Sequence, residues 1–338
     1  RLAASPNLSA PRPRYAPGTP MLDAVVVGAG QSGLAVSYYL RKYGASFVVL
    51  DASDEPGGAW PHYWDALTLF SRAEFSNLPG WPMPHYDGYP PRDHVVEYLS
   101  DYEQRYSLPI RRGQRVKQLL HDGSAFHLNG HSTRNVVMAT GIWSAPFVPF
   151  IPGSFAGEQG HSAQYRRPED FAGQRVAVPG GGNSGAQIVA DLALGGVDVQ
   201  WFTRRPPAFM PEDVDGEQLF RRNRERFVAI SRGEDDPGGA DFGGDIVLVP
   251  EVRRARSLDL LDAEPMVESL DELSDFDALI WATGFRPALS PVRGLERGLD
   301  TPGLFVLGFD SLNGPGAGTI GGVSPFARDI ARRIASKG

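Results

Sequence analysis

Apolar and polar positions along this chain follow a pattern that occurs twice. Ala24 to Val27 is an apolar run without polar alternation, which predicts a strand buried on both faces of a parallel sheet. The run ends in Gly28-Ala29-Gly30-Gln31-Ser32-Gly33, a GxGxxG turn. From Leu34 to Tyr43 the spacing becomes helical, and Gly44 is the expected stop. A second apolar run, Phe47 to Leu50, predicts the next strand, with an acid, Asp51, at its end.

Further on, Arg92 to Tyr106 reads as a helix with Val95, Leu99 and Tyr102 on one face. Short strands are predicted at Val116 to Leu120, Ala125 to Leu128 and Asn135 to Ala139, with a hairpin turn at Asn129-Gly130. The third of these strands enters Ala139-Thr140-Gly141. The order then repeats. Arg175 to Val178 predicts a strand, Gly180-Gly181-Gly182-Asn183-Ser184-Gly185 is a second GxGxxG turn, and a helix follows with Ile188, Leu192 and Leu194 inward. Strands are expected at Val197 to Phe202, Ile246 to Val249 and Ala278 to Trp281, the last entering Ala282-Thr283-Gly284. Two glycine turns and two Ala-Thr-Gly triplets in matching order indicate a duplicated unit.

Each part of the repeat has a mechanical use. Gly28 permits a tight turn, Gly30 lets backbone N–H groups reach a pyrophosphate, and Gly33 lets helix and strand pack closely. The helix start, with Gln31 and Ser32, adds partial positive charge, and Asp51 can accept from ribose hydroxyls. Gly180, Gly182, Asn183, Ser184 and Gly185 hold the equivalent places in the second unit. Where the first unit ends its second strand in an acid, the second ends it in Thr203-Arg204-Arg205. An acid favours a free ribose hydroxyl, whereas two guanidiniums suit a 2′-phosphate. The expected cofactors are therefore FAD in the first site and NADPH in the second.

Composition narrows the reading. The chain has 338 residues, 41% hydrophobic and 22% charged, enough for two ordinary domains. A net charge of −7 without a long basic run speaks against nucleic acid as a partner. With no cysteine, disulfides, thiolate metal sites and a dithiol relay are excluded. His127 and His131 stand four apart but flank the Asn129-Gly130 turn, so they are expected to face solvent, and no metal site is expected. No apolar run approaches the roughly 20 residues of a bilayer-spanning helix, so no membrane partner is expected. Residues 1–20 hold five prolines and no apolar signal-peptide core; they read as a flexible tail, with the cytoplasm as the default location. A homo-oligomer is compatible with these features.

At this point the chain resembles the flavin-containing monooxygenases, especially short bacterial flavoprotein monooxygenases near the Baeyer–Villiger enzymes. Phe155-Ala156-Gly157-Glu158-Gln159-Gly160-His161-Ser162-Ala163-Gln164-Tyr165-Arg166 is similar to that family's FxGxxxHxxx(Y/F)K fingerprint, with Arg for the final Lys. The Baeyer–Villiger form has Trp where this chain has Tyr165. The GGAW turn at 57–60, both triplets and Ala282-Thr283-Gly284-Phe285-Arg286-Pro287 also match. Gly58, Trp60, Thr140 and Gly314 thereby join the expected cofactor-binding set. Two features depart from the family pattern. No Asn occurs at residues 67–73, where the N- and S-oxygenating enzymes carry one, and Gly308-Phe309-Asp310-Ser311 replaces a Gly-Asp pair.

The resemblance implies an α/β fold of two Rossmann-like dinucleotide-binding domains. The FAD domain, residues 21–150 with 284–338, would be split by an inserted NADPH domain, residues 151–283. It also implies that NADPH reduces the flavin and that a peroxyflavin delivers one oxygen of dioxygen to a small organic substrate. Residues 61–90 and 210–245 are expected to line or cover the access path. The loop at 61–90 can equally be packed by its own aromatics. His161 reads either as an orienting group or as a satisfied surface histidine, and no side chain is assigned as catalytic. A carrier-reducing flavin oxidoreductase and a nucleotide-binding redox sensor are the alternatives. Hydrolase chemistry is disfavoured, since neither glycine turn reads GxSxG.

Overall fold

Both glycine segments fold as strand, turn and helix in a computed structural model that describes residues 21–214, 216–238 and 246–336. The expected tail at 1–20 lies outside these residues, as does part of the 210–245 stretch. The chain begins β1 (Leu22–Val27), α1 (Gln31–Lys42), β2 (Phe47–Leu50), α2 (Arg92–Arg105), β3 (Ile110–Arg111), β4 (Leu120–His121), β5 (Phe126–Leu128) and β6 (His131–Met138). It continues β7 (Glu158–His161), β8 (Arg175–Pro179), α3 (Asn183–Leu194), β9 (Asp198–Thr203), α4 (Gly216–Ser231), α5 (Pro250–Ser257), β10 (Ala263–Pro265) and β11 (Ala278–Trp281). The last elements are β12 (Leu304–Val306), α6 (Asp310–Asn313) and α7 (Ser324–Ala335).

These strands make two sheets. The first runs β3-β2-β1-β6-β5-β4, with β12 also on β6. Along its length β6 changes partner: His131–Thr133 pair antiparallel with β5, and Val136–Met138 pair parallel with β12. The second sheet, β10-β9-β8-β11-β7, is parallel throughout. The chain is thus a mixed α/β protein with parallel sheets of Rossmann type, as the pattern implied.

The unbroken apolar run of β1 follows from burial on both faces. Ala24 and Val26 pack with Leu34, Leu40, Ile330 and Ile334 of α1 and α7, whereas Val25 and Val27 meet Leu119 and Phe126 under the β4–β5 hairpin. Asn129 and Gly130 both have positive φ, 46° and 79°, as the β5–β6 turn requires.

Several local expectations change. Helix α1 starts at Gln31 rather than Leu34, because the last residues of the glycine turn already form its first turn. Within Val116–Leu120 only Leu120 enters a ladder; Leu119 N–H donates instead to Pro291 O (3.0 Å). The run Ile246–Val249 is fully buried but makes a single bridge to Phe209, and Pro250 then opens α5. The place beside β9 goes to β10, whose Ala-Glu-Pro carries no apolar signal. The fingerprint segment is more than a linker. It supplies β7, an edge strand paired with β11. His127 is turned inward, bonded to Asp122 (2.8 Å) and Ser132 (3.0 Å), and not simply solvated.

Gly33 and Gly185 hold helix against strand in the two units. A Cβ on Gly33 would sit 1.9 Å from Gly28 O, and one on Gly185 would sit 2.0 Å from Gly180 O. Gly33→Ala or Gly185→Ala is therefore expected to lower stability by about 1–3 kcal/mol or more, read from the denaturant midpoint. Unchanged midpoints in both variants would contradict the close packing.

Candidate active site

The two Ala-Thr-Gly triplets end β6 and β11, and the chain leaves each sheet at a glycine with positive φ, 61° at Gly141 and 83° at Gly284. The departing segments then pair with each other. Phe147 N–H donates to Gly284 O (2.9 Å), Arg286 N–H to Ala145 O (2.8 Å) and Ala288 N–H to Gly141 O (2.9 Å). Each threonine locks the opposite segment: Thr140 Oγ1 donates to Ala288 O (2.9 Å) and Thr283 Oγ1 to Phe147 O (2.6 Å). His161 is buried at the end of β7, at 5% exposure, and joins this ribbon. Its Nδ1 accepts from Ala163 N–H (3.1 Å), which leaves Nε2 to donate to Gly284 O (2.9 Å). Burial holds its pKa below the usual imidazole value, so the ring is neutral and its role is orientation.

A cavity of about 1020 Å³ opens along the first glycine turn and reaches this ribbon. Gly28, Gly30, Gln31, Ser32, Asp51, Gly58, Trp60 and Thr140 all line it. At Gly28 a Cβ would lie 2.4 Å from Ala139 O, and at Gly58 one would lie 2.7 Å from Gly30 Cα. Only bare backbone fits these approaches. Gly33 lies behind the turn as a packing residue. Gly314 is set back against Phe326, and Gly318, Thr319 and Ile320 reach the cavity in its place.

Side chains at the cavity are already partly committed. Asp51 Oδ2 is held by Arg112, whose other Nη binds Glu103 of α2; Oδ1 is left for a diol. Neither Arg112 nor Glu103 was legible, since their pairing needs α2 and β3 folded side by side. The Gln31 amide donates to Gly318 O (2.7 Å) and accepts from Trp60 Nε1 (2.8 Å), tying the helix start to the aromatic loop and the C-terminal glycine loop. Asp310 Oδ1 accepts from Gly318 N–H (2.6 Å), so the displaced acid shapes that loop. Ile320 N–H has no protein acceptor among the described residues.

The 61–90 loop both packs on itself and lines the cavity. Trp60, Tyr63 and Trp143 are in sequential ring contact, at 5.5 and 4.6 Å between centroids, and Trp143 stacks on Phe285 of the ribbon at 5.6 Å. Two guanidiniums fix this wall from behind: Arg92 Nη1 (2.8 Å) and Arg166 Nη1 (2.7 Å) both donate to the Tyr63 carbonyl. Arg166 stands where the family has Lys. In the segment lacking Asn, the hydroxyls of Ser71 and Ser76 pair at 3.0 Å on the cavity wall. Two hydroxyls in one bond leave a second proton free to donate.

The second glycine turn is more open. Gly180 abuts Ala282 O, 2.1 Å from a built Cβ, whereas nothing lies within 4 Å of one at Gly182. Asn183 Oδ1 accepts from Val247 N–H (2.9 Å), so this side chain braces the buried 246–249 run. Ser184 follows it in the first turn of α3. Arg204 and Arg205 are exposed just past β9, and neither has an ion-pair or hydrogen-bond partner among the described residues. A crevice beyond the strand ends of a parallel sheet is the usual nucleotide location.

Tyr165 of the fingerprint is buried, and its hydroxyl donates to Asp191 Oδ2 of α3 (2.7 Å). Burial raises the Asp191 pKa, and the Tyr165 bond opposes that rise. Tyr165→Phe is expected to cost about 1 kcal/mol at pH 7, where half-exposed Asp191 is ionised and loses its donor. As pH falls through the raised folded pKa, Asp191 becomes neutral and the deficit should shrink. Unfolding curves at pH 7 and in acid test this. A deficit that grows in acid would reverse the assignment.

Residues 25–302 match the family model described as pyridine nucleotide-disulphide oxidoreductase. The fold is similar to a flavin-containing monooxygenase from Stenotrophomonas maltophilia, with TM-score 0.83 and 40% identity over 94% of this chain and 99% of that one. The oxidoreductase CzcO of Bacillus subtilis is 36% identical over 180 residues, covering 51% of this chain and 52% of its own. The indole-3-pyruvate monooxygenase YUCCA1 of rice is 35% identical over 208 residues, covering 58% of this chain and 51% of its own. The chain spans about half the length of these two curated relatives. No helix among the described residues is long and apolar enough to cross a membrane. With the fold, the doubled glycine turns and these matches together, the chain belongs to the pyridine nucleotide-disulphide oxidoreductase family and, within it, to the flavin-dependent monooxygenases.

Proposed function

We propose that the chain is an NADPH-dependent, FAD-containing monooxygenase that places one oxygen atom of dioxygen on a small organic substrate, by heteroatom oxygenation or Baeyer–Villiger oxidation. In this reading residues 21–150 with 284–338 bind FAD and residues 151–283 bind NADPH. The observation that carries it is the cavity of about 1020 Å³ running from Asp51 to the aromatic wall at the ribbon between the units. It lies at the upper end of ligand pockets, roughly 300–1,000 Å³. The backbone cradle at Gly28, Gly30 and Gly58 and the free Asp51 Oδ1 fit a pyrophosphate and a ribose diol.

Bound flavin and nicotinamide supply hydride transfer and the activation of dioxygen. The chain binds, orients and excludes water. Ile320 N–H, with no protein acceptor among the described residues, would be a donor to negative charge on a bound ring. Trp60, Tyr63 and Trp143 would exclude water from the cavity they line, and burial raises the pKa of the Tyr63 hydroxyl further. Arg204 and Arg205, exposed and without a partner among the described residues, are available to a 2′-phosphate.

The purified protein is expected to be yellow and to release FAD rather than FMN on denaturation. Colourless protein that does not take up FAD would overturn the reading. Given NADPH and dioxygen, it should convert methyl phenyl sulfide to the sulfoxide or cyclohexanone to the lactone. NADPH-driven reduction of a quinone with no oxygenated product would instead identify a carrier-reducing oxidoreductase. No flavin reduction by NADPH would point to a sensor.

Coenzyme choice is tested separately. Arg204→Ala with Arg205→Ala is expected to raise the KM for NADPH by about tenfold or more per lost charged bond and to leave NADH nearly unaffected. Equal losses for the two coenzymes would remove these arginines from the phosphate site.

A further inference from the structure

Among the described residues lining the cavity, one alone comes from between residues 145 and 284, and it is Phe220 of α4. Helix α4 follows β9 of the second sheet, and although its Leu219 packs on that sheet's core, several of its contacts reach the first unit. Gly216 N–H donates to Phe70 O (2.7 Å), and a Cβ there would meet Ser71 Cβ at 2.5 Å, so the helix start is seated on the cavity wall. One turn on, the Phe220 ring meets Phe70 at 5.9 Å; farther along, Phe227 meets Phe326 edge-on at 4.9 Å. Beyond these contacts Arg226 holds Asp236 in a two-bond fork (2.9 and 2.8 Å). Gly216 is the one fully buried residue of α4, so rings and two end clamps, rather than a deep core, hold the helix in place.

We propose that Phe220, with Phe70, is the size-selecting end wall of the cavity for an uncharged apolar substrate. This rests on the monooxygenase reading. The lining residues at that end offer a ligand no charged partner. Phe70, Phe220, Leu69 and Ile320 are among the lining residues there, and the neighbouring Ser71–Ser76 hydroxyl pair offers one uncharged donor. Of the charged lining residues, Asp51, Asp54 and Arg115 come from the segments that follow β2 and β3, with Asp51 clamped by Arg112, and Asp310 accepts from Gly318 N–H. A ring on a half-buried helix can be shortened without opening a cavity in either core, so its size sets the room left for substrate. Because α4 belongs to the second unit, that unit contributes to substrate choice as well as to coenzyme binding.

The test uses the FAD-loaded protein with methyl phenyl sulfide and the larger methyl naphthyl sulfide. Binding of each is measured by calorimetry without NADPH, and sulfoxide formation is measured with it. Phe220→Ala is expected to shift the ratio of the two dissociation constants by about tenfold toward the naphthyl compound, and Phe220→Trp to shift it the other way. The kcat/KM ratio should follow. Phe227→Ala, on the same helix but packed on α7, should leave both ratios unchanged. Phe220→Leu replaces Phe220→Ala if the latter loses FAD. Binding ratios within twofold of the unmodified protein in every folded Phe220 variant would overturn the proposal. Sulfoxide formation with unmoved binding ratios removes the end wall but leaves the monooxygenase reading intact. Shifted binding ratios with no sulfoxide formed from any substrate do the reverse.

Discussion

Everything at the candidate site depends on two strands that leave their sheets and then pair with each other. The Thr140 bond to Ala288 and the Thr283 bond to Phe147 each reach across to the other crossing segment, so neither crossing can shift without the other. His161 adds a third tie through Gly284 O, and its neutral ring sits edge-on to Phe285. In the proposed reading, a hydride passing between two flat rings would need their separation closely fixed. A ribbon whose threonines are spent on backbone carbonyls meets that need with short-range hydrogen bonds. This accounts for the threonine in each triplet, whose hydroxyl proton goes to a backbone carbonyl.

The duplicated strand, turn and helix were legible because local chemistry dictates them. Gly28 and Gly33 face each other across a turn, and the acid or arginine pair at the next strand's end stands at a fixed remove. What escaped the sequence depends on contacts between distant segments. Arg112 and Glu103 are nine residues apart and look like ordinary surface charges until α2 and β3 bring them to Asp51. The run 246–249 looks like a strand because burial and strand pairing leave the same apolar signature. Strand β10 shows the converse, pairing through its backbone with polar and proline side chains. Helix α4 was hidden by its arginines, since its packing face is one glycine, Leu219 and two aromatics.

The departures from the family pattern also acquire a physical meaning. Arg166 in place of Lys supports the aromatic wall from the second unit, while Arg92 supports the same carbonyl from the first. A guanidinium can serve several carbonyls at once, and Arg166 also donates to Pro61 O (3.1 Å). Ser71 and Ser76 supply polar capacity where an amide is missing, and Gln31 joins three segments that are far apart in sequence. The aromatic loop is irregular in backbone and still rigid, because its carbonyls and rings are held from both sides.

The change of partner along β6 bears on how the chain comes to be folded. Its first half meets β5 across a two-residue turn, a contact available as soon as the hairpin is made. Its second half waits for β12, with residues 139–303 intervening. Closing so long a loop carries an entropy cost that grows with the logarithm of its length. The second sheet is contiguous within that loop, from β7 to β11, so its prior folding draws the loop's ends together at the ribbon. The order of assembly follows: hairpin first, inserted sheet next, and β12 last, so the first sheet gains its final strand only after the second unit is in place.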